Sequence, residues 1–301
     1  MNTLASRATR PVTLLGVPPL FALCLAATWL VWGSTYLAIK YALLSFAPFL
    51  QMGSRFLVAG AVLMAWMRWR GAAWPDRTQW RNALVVGTLM LGAGMGGTAY
   101  AEVSVGSGLV VAFIAVVPLM IAALNLFWGV RPGAMEAAGI VVGLAGVLLL
   151  TQGAGFQASP AGLAAIALAC AGWSLGSVLS QRTLPLAPGA MGFASEMLCG
   201  GAVLMAMSAL HGETLAWPPQ PVALAAWLYL VVFGSLVAFN AYMLLLARAP
   251  AALASSYTFV NPVIAMLLGV AIAGEHVSAF EWGAVSVVLA GVLLLLWKRA
   301  R

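Results

Sequence analysis

The chain has 301 residues, 63% of them hydrophobic and only 7% charged. A soluble domain carries about 25% charged residues, so this composition excludes a water-dissolved monomer and makes lipid the solvent for most of the surface. The net charge of +7 would suit nucleic acid in a soluble protein, but here its placement along the chain gives another answer.

Apolar stretches near the length that crosses a bilayer predict ten spans: 19–40, 48–68, 81–101, 107–128, 134–151, 160–181, 189–210, 221–246, 251–272 and 278–297. In hydrocarbon every backbone N–H and C=O must be bonded within its own segment, so the spans are helices. A membrane barrel would show short alternating strands, and none of the spans alternates. The N-terminal tail, 1–18, carries Arg7 and Arg10 ahead of an apolar run too long for a signal-peptide core, so that run is taken as a retained first helix. This helix holds Trp32, Tyr36 and Lys40, and the second holds Gln51 and Arg55. The third carries GAGMGG at 92–97 and Tyr100, and ends at Glu102; the fourth carries Pro118 and Asn125. Trp173 lies in the sixth, Glu196 in the seventh, Asn240 and Tyr242 in the eighth, and Asn261 and Pro262 in the ninth. The fifth and tenth are almost free of polar groups, and both contain LAGVLLL, at 144–150 and 289–295. Residues 298–301 form the C-terminal tail.

Twelve of the fourteen Lys and Arg residues fall in the tails or in alternate loops: Arg7, Arg10, Arg68, Arg70, Arg77, Arg81, Arg131, Arg182, Arg248, Lys298, Arg299 and Arg301. The loops around 41–47, 102–106, 152–159, 211–220 and 273–277 carry none. The positive-inside rule therefore places both tails in the cytoplasm, as an even number of spans requires. The basic face suits anionic lipid headgroups, and no nucleic acid is needed to explain it. Cys24, Cys170 and Cys199 lie inside spans without CxxC spacing, so neither a disulfide framework nor a metal site is indicated.

The LAGVLLL echo does not stand alone. Glu136 and Glu281 precede the two copies at the same 145-residue offset, and GAVLMA recurs at 60–65 and 201–206. Trp32 pairs with Trp173 at offset 141, Ala99-Tyr100 with Ala241-Tyr242 at 142, and Pro118 with Pro262 at 144. The expected organisation is two five-helix repeats, 19–151 and 160–297. Because five is odd, the second enters the membrane upside down, an arrangement found in secondary transporters.

The stretch Trp32-Gly33-Ser34-Thr35-Tyr36 ending in Lys40, followed by Pro48 and Arg55-Phe56, resembles the drug/metabolite transporter superfamily, specifically its EamA-domain exporters. Gly96-Gly97, Glu102, Ser107-Gly108, Pro118 and Gly274-Glu275 are similar to the same family, and the likeness runs over the whole chain. The resemblance implies ten helices, both termini inside, and export of small organic solutes. In the second half Gln181 stands opposite Lys40 and Glu196 opposite Arg55, so the half-sites are not chemically identical.

Candidate solute contacts are Trp32, Tyr36, Arg55, Tyr100, Trp173, Glu196, Tyr242 and Asn261. Arg55 lies about 10 Å into its span at 1.5 Å per residue. It faces a cavity as a contact for an anionic group, or is tied structurally to a carboxylate such as Glu102. Glu196, its inverted mate, is either a proton carrier or a partner in a helix hydrogen bond. Lys40 and Glu102 form a gate at the outer mouth or are ordinary interfacial charges. Trp32 and Trp173 sit mid-span, although tryptophan prefers the headgroup level; they line a cavity or pack against neighbouring helices. Pro118 and Pro262, mid-span in matching helices, are hinge candidates. GAGMGG satisfies GxGxxG but has no βαβ unit around it. Gly92/Gly96, Gly139/Gly143 and Gly172/Gly176 read instead as GxxxG pairs that permit close helix packing or a sliding surface.

The expected protein is thus an all-α secondary transporter that binds its solute at mid-depth between the repeats and works by alternating access. No cofactor is implied, and the partners are a small-molecule solute and membrane lipid, with helices five and ten available for packing or for a homodimer. A passive channel or lipid flippase would share the architecture. A membrane-embedded lipid-modifying enzyme fits poorly: there is one Asp, Asp76, the two His residues, His211 and His276, lie in outer loops, and no catalytic residue is identified.

Overall fold

The computed structural model describes residues 19–105, 110, 113–152, 159–273 and 278–297. Both tails, Ser107-Gly108, Gly274-Glu275 and His276 lie outside the described residues. The described chain is nearly all helical, with isolated bridge residues at Phe46, Val105 and Leu215, of which Phe46 and Leu215 pair with each other. In order the helices are α1 (Pro19–Ala42), α2 (Pro48–Trp69), α3 (Arg77–Ala101), α4 (Val117–Trp128) and α5 (Ala134–Thr151). They continue as α6 (Pro160–Arg182), α7 (Ala190–Leu210), α8 (Pro221–Arg248), α9 (Tyr257–Ala273) and α10 (Ala279–Trp297). Six of them, α1, α2, α3, α6, α7 and α8, are long and apolar enough to cross a membrane.

Local chemistry sets the helix ends. Pro48, Pro160 and Pro221 stand in the first turn of their helices, where a missing N–H costs nothing. Asp76 and Gln79 form a reciprocal capping box at the start of α3, and the Ser159 hydroxyl accepts the Gly162 N–H at the start of α6. Gly129 closes α4 with φ +70°, the left-handed conformation that suits glycine.

Two helix pairs are packed through glycine, and both are antiparallel. On α2 and α7, a Cβ at Gly53 would meet Met205, one at Gly60 would meet Leu198, and one at Gly201 would meet Leu57, each within 3.1 Å. On α5 and α10, a Cβ at Gly146 would lie 2.6 Å from the Val288 nitrogen, and one at Gly291 would lie 2.5 Å from the Gly143 nitrogen. The Gly172 and Gly176 faces of α6 press likewise on Leu89 and Met90 of α3, and Gly33 of α1 presses on Ile264 of α9. Gly92 and Gly96 of α3 meet Val203 and Leu204 of α7, so the three GxxxG pairs singled out in the sequence sit at helix contacts, where a missing side chain allows close approach.

Three helices widen into π turns: α1 at Ala27–Val31, α3 at Thr88–Gly96 and α8 at Leu230–Phe239. Those in α3 and α8 fall at matching positions, 142 residues apart (88 to 230). Hydropathy alone predicts none of them.

The fourth span is interrupted at its proline: Ala115 and Val116 form a turn and α4 begins at Val117, so Pro118 occupies a first helical turn. The ninth span is also interrupted: a one-turn helix, Ala251–Ala254, is followed by a turn at Ser255–Ser256 before α9, which contains Pro262 in its interior.

Candidate solute site

Trp32 and Trp173, at matching positions of α1 and α6, meet edge to face with ring centroids 5.7 Å apart and are only 4% and 5% exposed. Tyr257 of α9 stands 4.6 Å from Trp32, and Tyr242 of α8 lies 5.3 Å from Trp32 and 5.1 Å from Trp173. Hydrogen bonds hold both indoles. Trp32 Nε1–H donates to the Gly234 carbonyl at 3.1 Å, and Trp173 Nε1–H donates to the Tyr242 hydroxyl at 3.1 Å. That hydroxyl also meets Ser177 Oγ at 2.9 Å. Buried tryptophans with satisfied N–H groups have fixed ring planes.

The indoles line a cavity of about 70 Å³ whose wall also includes Thr35, Tyr36, Met52, Gly94, Tyr257 and Asn261. Gly94 belongs to the π turn of α3, and a Cβ there would stand 3.1 Å from the Trp173 ring, so glycine allows the indole its position. The Asn261 carboxamide oxygen is buried without a hydrogen-bond partner. Organic-ligand pockets usually hold roughly 300–1,000 Å³, so a solute of that size requires this chamber to widen.

Two charged side chains, Arg55 and Glu102, flank the chamber. Arg55 is 1% exposed and its Nε and Nη1 have no hydrogen-bond partner. Its Nη2 lies beside Gly234, the residue that accepts from Trp32. Glu102, at the end of α3, interacts with Arg55 and with Tyr36 through space, and its Oε1 is buried and unpartnered. Glu196 is fully buried with neither oxygen bonded, and does not line the chamber. The α2–α7 register pairs position 62 with position 196, so Arg55 and Glu196 are seven residues apart along the pair, roughly 10 Å at 1.5 Å per residue.

The two ends of the bundle differ. At the end bearing the α1–α2 and α7–α8 connections, Glu213 accepts the Phe49 and Leu50 N–H groups at 3.2 and 2.8 Å, capping α2 from across the bundle. Phe49 stacks on Tyr100 and lies 5.1 Å from His211, while Phe46 stacks on Trp227. At the opposite, arginine-bearing end a cleft of about 430 Å³ opens between Pro118, Asn125, Arg131, Arg182 and the 249–252 backbone. There Arg182 Nε and Nη2 donate to Asn125 Oδ1 at 3.1 and 2.9 Å, and Gln181 Nε2 donates to the Leu246 carbonyl.

Of the sequence candidates, Trp32, Tyr36, Trp173 and Asn261 line the chamber, Tyr242 backs it, and Arg55 adjoins it. Tyr100 is separate, 36% exposed in the aromatic seal at the Glu213 end. Lys40 is exposed, and the structure records no ion pair between it and Glu102. Sequence reasoning missed Tyr257; its signal was the spacing to Asn261, one turn later on the same helix face.

Comparison with known proteins adds an independent line. The model of the EamA-like transporter family matches twice, over residues 17–152 and 160–297. The "Uncharacterized inner membrane transporter YedA" of Escherichia coli K12 is 39% identical over 279 residues, covering 92% of this chain and 90% of the relative. A chloroplastic WAT1-related protein of Arabidopsis thaliana is 26% identical over 90% of this chain and 68% of its own length. An uncharacterized transporter of Synechocystis is 28% identical over 91% and 88%. A solved crystal structure superposes with a TM-score of 0.77 at 24% identity, over 94% of this chain and 99% of that one, and so shares the fold.

Proposed function

Starting from the fact that the chain belongs to the EamA-like transporter family and is a multi-pass protein of the cell membrane, we propose that it is a secondary transporter exporting a small organic solute by alternating access. Its ten helices act as two inverted five-helix halves with both termini in the cytoplasm. The carrying observation is the Trp32–Trp173 contact: two residues 141 positions apart, one per half, meet over a buried chamber at the centre of the bundle.

Exchange of the halves relates other contacts as well. Shifting Gly146–Val288 by 145 residues gives Gly291–Gly143, and shifting Gly60–Leu198 by 141 gives Gly201–Leu57. The double family match and the paired π turns support the same duplication. Two equivalent halves packed asymmetrically open the site to one side, and exchanging their conformations opens it to the other. The asymmetry here is a sealed Glu213 end and a cleft at the arginine-bearing end, which is the cytoplasmic end by the positive-inside rule. Solute then enters from the cytoplasm through that cleft, which supports export. Flexing is assigned to the turns at Ala115–Val116, just before Pro118, and Ser255–Ser256, at the start of the helix that holds Pro262.

Family and relatives point to a transporter rather than an enzyme. The test is reconstitution of the purified chain into liposomes and a counterflow screen of amino acids, aromatic metabolites and cationic dyes. Exchange of one chemical class supports the reading; leakage that does not saturate would assign a channel.

A further inference from the structure

The α2 and α7 helices end in the same turn. Gly71 and Gly212, 141 positions apart (71 to 212), both take a positive φ, +83° and +65°. The Gly71 N–H donates to the Arg68 carbonyl and the Ala72 N–H to the Met67 carbonyl, both at 3.0 Å. The matching bonds run from Gly212 to Ala209 at 3.1 Å and from Glu213 to Ser208 at 3.0 Å. The side chains on the two turns differ. Trp66, Arg68, Trp69, Arg70 and Trp74 stand where the second turn has Met207, Ala209, Leu210, His211 and Leu215. The turn therefore closes without any tryptophan or arginine, and their presence after α2 has another cause.

Those residues form an ordered cluster at the arginine-bearing end. The Arg68 guanidinium lies over the Trp74 ring, 4.8 Å from its centroid, and its Nη1 donates to the Ala72 carbonyl. Arg70 lies over Trp66 at 5.9 Å, and the Trp66 and Trp69 rings meet at 5.0 Å. Trp66, Trp69 and Trp74 are nevertheless 51%, 76% and 60% exposed. Arg77, at the first position of α3 where the helix dipole disfavours a cation, and Arg81 one turn on are exposed too. Asp76 is the one acid in 68–81, and its carboxylate accepts the Gln79 N–H. The positive-inside rule accounts for arginines here but asks for no ring beneath them. Indoles prefer the headgroup level, and a guanidinium stacked on one keeps its N–H edge free for a phosphate. Toward the bilayer centre, Val58, Val62 and Trp66 are exposed at four-residue spacing, a stripe that ends at Arg70. From 58 to 70 it spans roughly 18 Å at 1.5 Å per residue, close to the about 15 Å of one leaflet's hydrocarbon.

We propose that the α2–α3 turn is a binding site for an anionic phospholipid of the cytoplasmic leaflet. The phosphodiester sits on the Arg68 and Arg70 guanidinium groups, Arg77 and Arg81 add charge, and one acyl chain lies along Val62 and Val58. A soluble phosphate would use the arginines alone and leave the indoles and the stripe uncovered. The site is separate from the solute chamber and does not depend on the transport reading.

The test is native mass spectrometry of the purified full chain, with phosphatidylglycerol and phosphatidylcholine of identical acyl chains in competition. One arginine near an anionic surface is worth roughly fivefold, so the native chain should retain phosphatidylglycerol at least about fivefold over phosphatidylcholine. Arg70→Gln should bring that preference down several-fold, and Arg70→Lys should keep part of it. Trp66→Leu, which removes the ring beneath Arg70, should lower it as well. Arg248→Gln, which removes an exposed arginine elsewhere at the same end, should leave it unchanged. Equal retention of the two lipids by the native chain, or retention of neither, overturns the proposal. So does an equal fall in Arg70→Gln and Arg248→Gln, which would assign the preference to the net charge of that end. Displacement of the lipid by an equal concentration of inorganic phosphate would assign a soluble-anion site and overturn it too.

Discussion

Replacing Gly146 or Gly291 by alanine places one methyl group at the α5–α10 contact, at the same position of the repeated LAGVLLL segment. A Cβ on Gly146 would stand 2.6 Å from Val288 N and 2.7 Å from Val288 Cγ2; one on Gly291 would stand 2.5 Å from Gly143 N and 2.7 Å from Gly143 Cα. The principal obstacle at both sites is backbone, so the helices themselves must separate by close to 1 Å. Overpacking of this kind costs about 1–3 kcal/mol, while removing a helical glycine returns about 0.8–1.0 kcal/mol. The net expectation is a loss of about 0–2 kcal/mol at each site, similar for both because exchange of the halves maps one contact onto the other. Gly283 supplies the control, since it lies on α10 with nothing within 4 Å of its would-be Cβ. Gly283→Ala should be neutral or stabilising by up to about 1 kcal/mol. Thermal unfolding of the three variants in one detergent reads the signs directly. A large loss at Gly146 with none at Gly291, or the reverse, would refute the exchange relation between the two contacts.

Three further outcomes are expected. Glu196 is fully buried with both oxygens unbonded, so Glu196→Met should raise the melting temperature by removing a desolvated polar group. The same variant should slow counterflow if the carboxylate serves transport; a lower melting temperature with normal flux would make it a structural residue. Trp32→Phe keeps a ring but loses the bond to the Gly234 carbonyl, worth about 0.5–1.5 kcal/mol. Its flux should fall less than that of Trp32→Ala, and equal flux in both would remove the indole from the site. Glu213→Ala strips two acceptors from the start of α2; a cap of this kind is worth about 0.5–2 kcal/mol. That variant should admit impermeant thiol reagents more readily from the Glu213 end, and unchanged labelling would show that the cap does not hold the seal.

The features legible in the sequence are those governed by composition and spacing. Six of the predicted spans appear as membrane-length helices, Trp32 and Trp173, linked in the sequence by a constant offset, meet in the structure, and the three GxxxG pairs lie at helix contacts. The π turns in α3 and α8 escaped because hydropathy does not distinguish a π turn from an α turn. The exact place of the turn at Ala115–Val116 escaped as well, because it sits inside an unbroken apolar run. Tyr100 shares its offset with Tyr242, yet one seals an end and the other backs the chamber. These two positions share an offset but not an environment, and no spacing rule encodes that difference. The Glu213 cap joins residues over 160 positions apart and has no local signal.

The alternation itself can be measured without knowing the solute. Thr35 lines the chamber, and Thr35→Cys in a chain lacking Cys24, Cys170 and Cys199 provides one reporter thiol. Alternating access predicts that a small impermeant thiol reagent labels this position from either side of the membrane, in separate experiments on vesicles of fixed orientation. Labelling from the arginine-bearing side alone, however long the exposure, would contradict a site shared between the two faces.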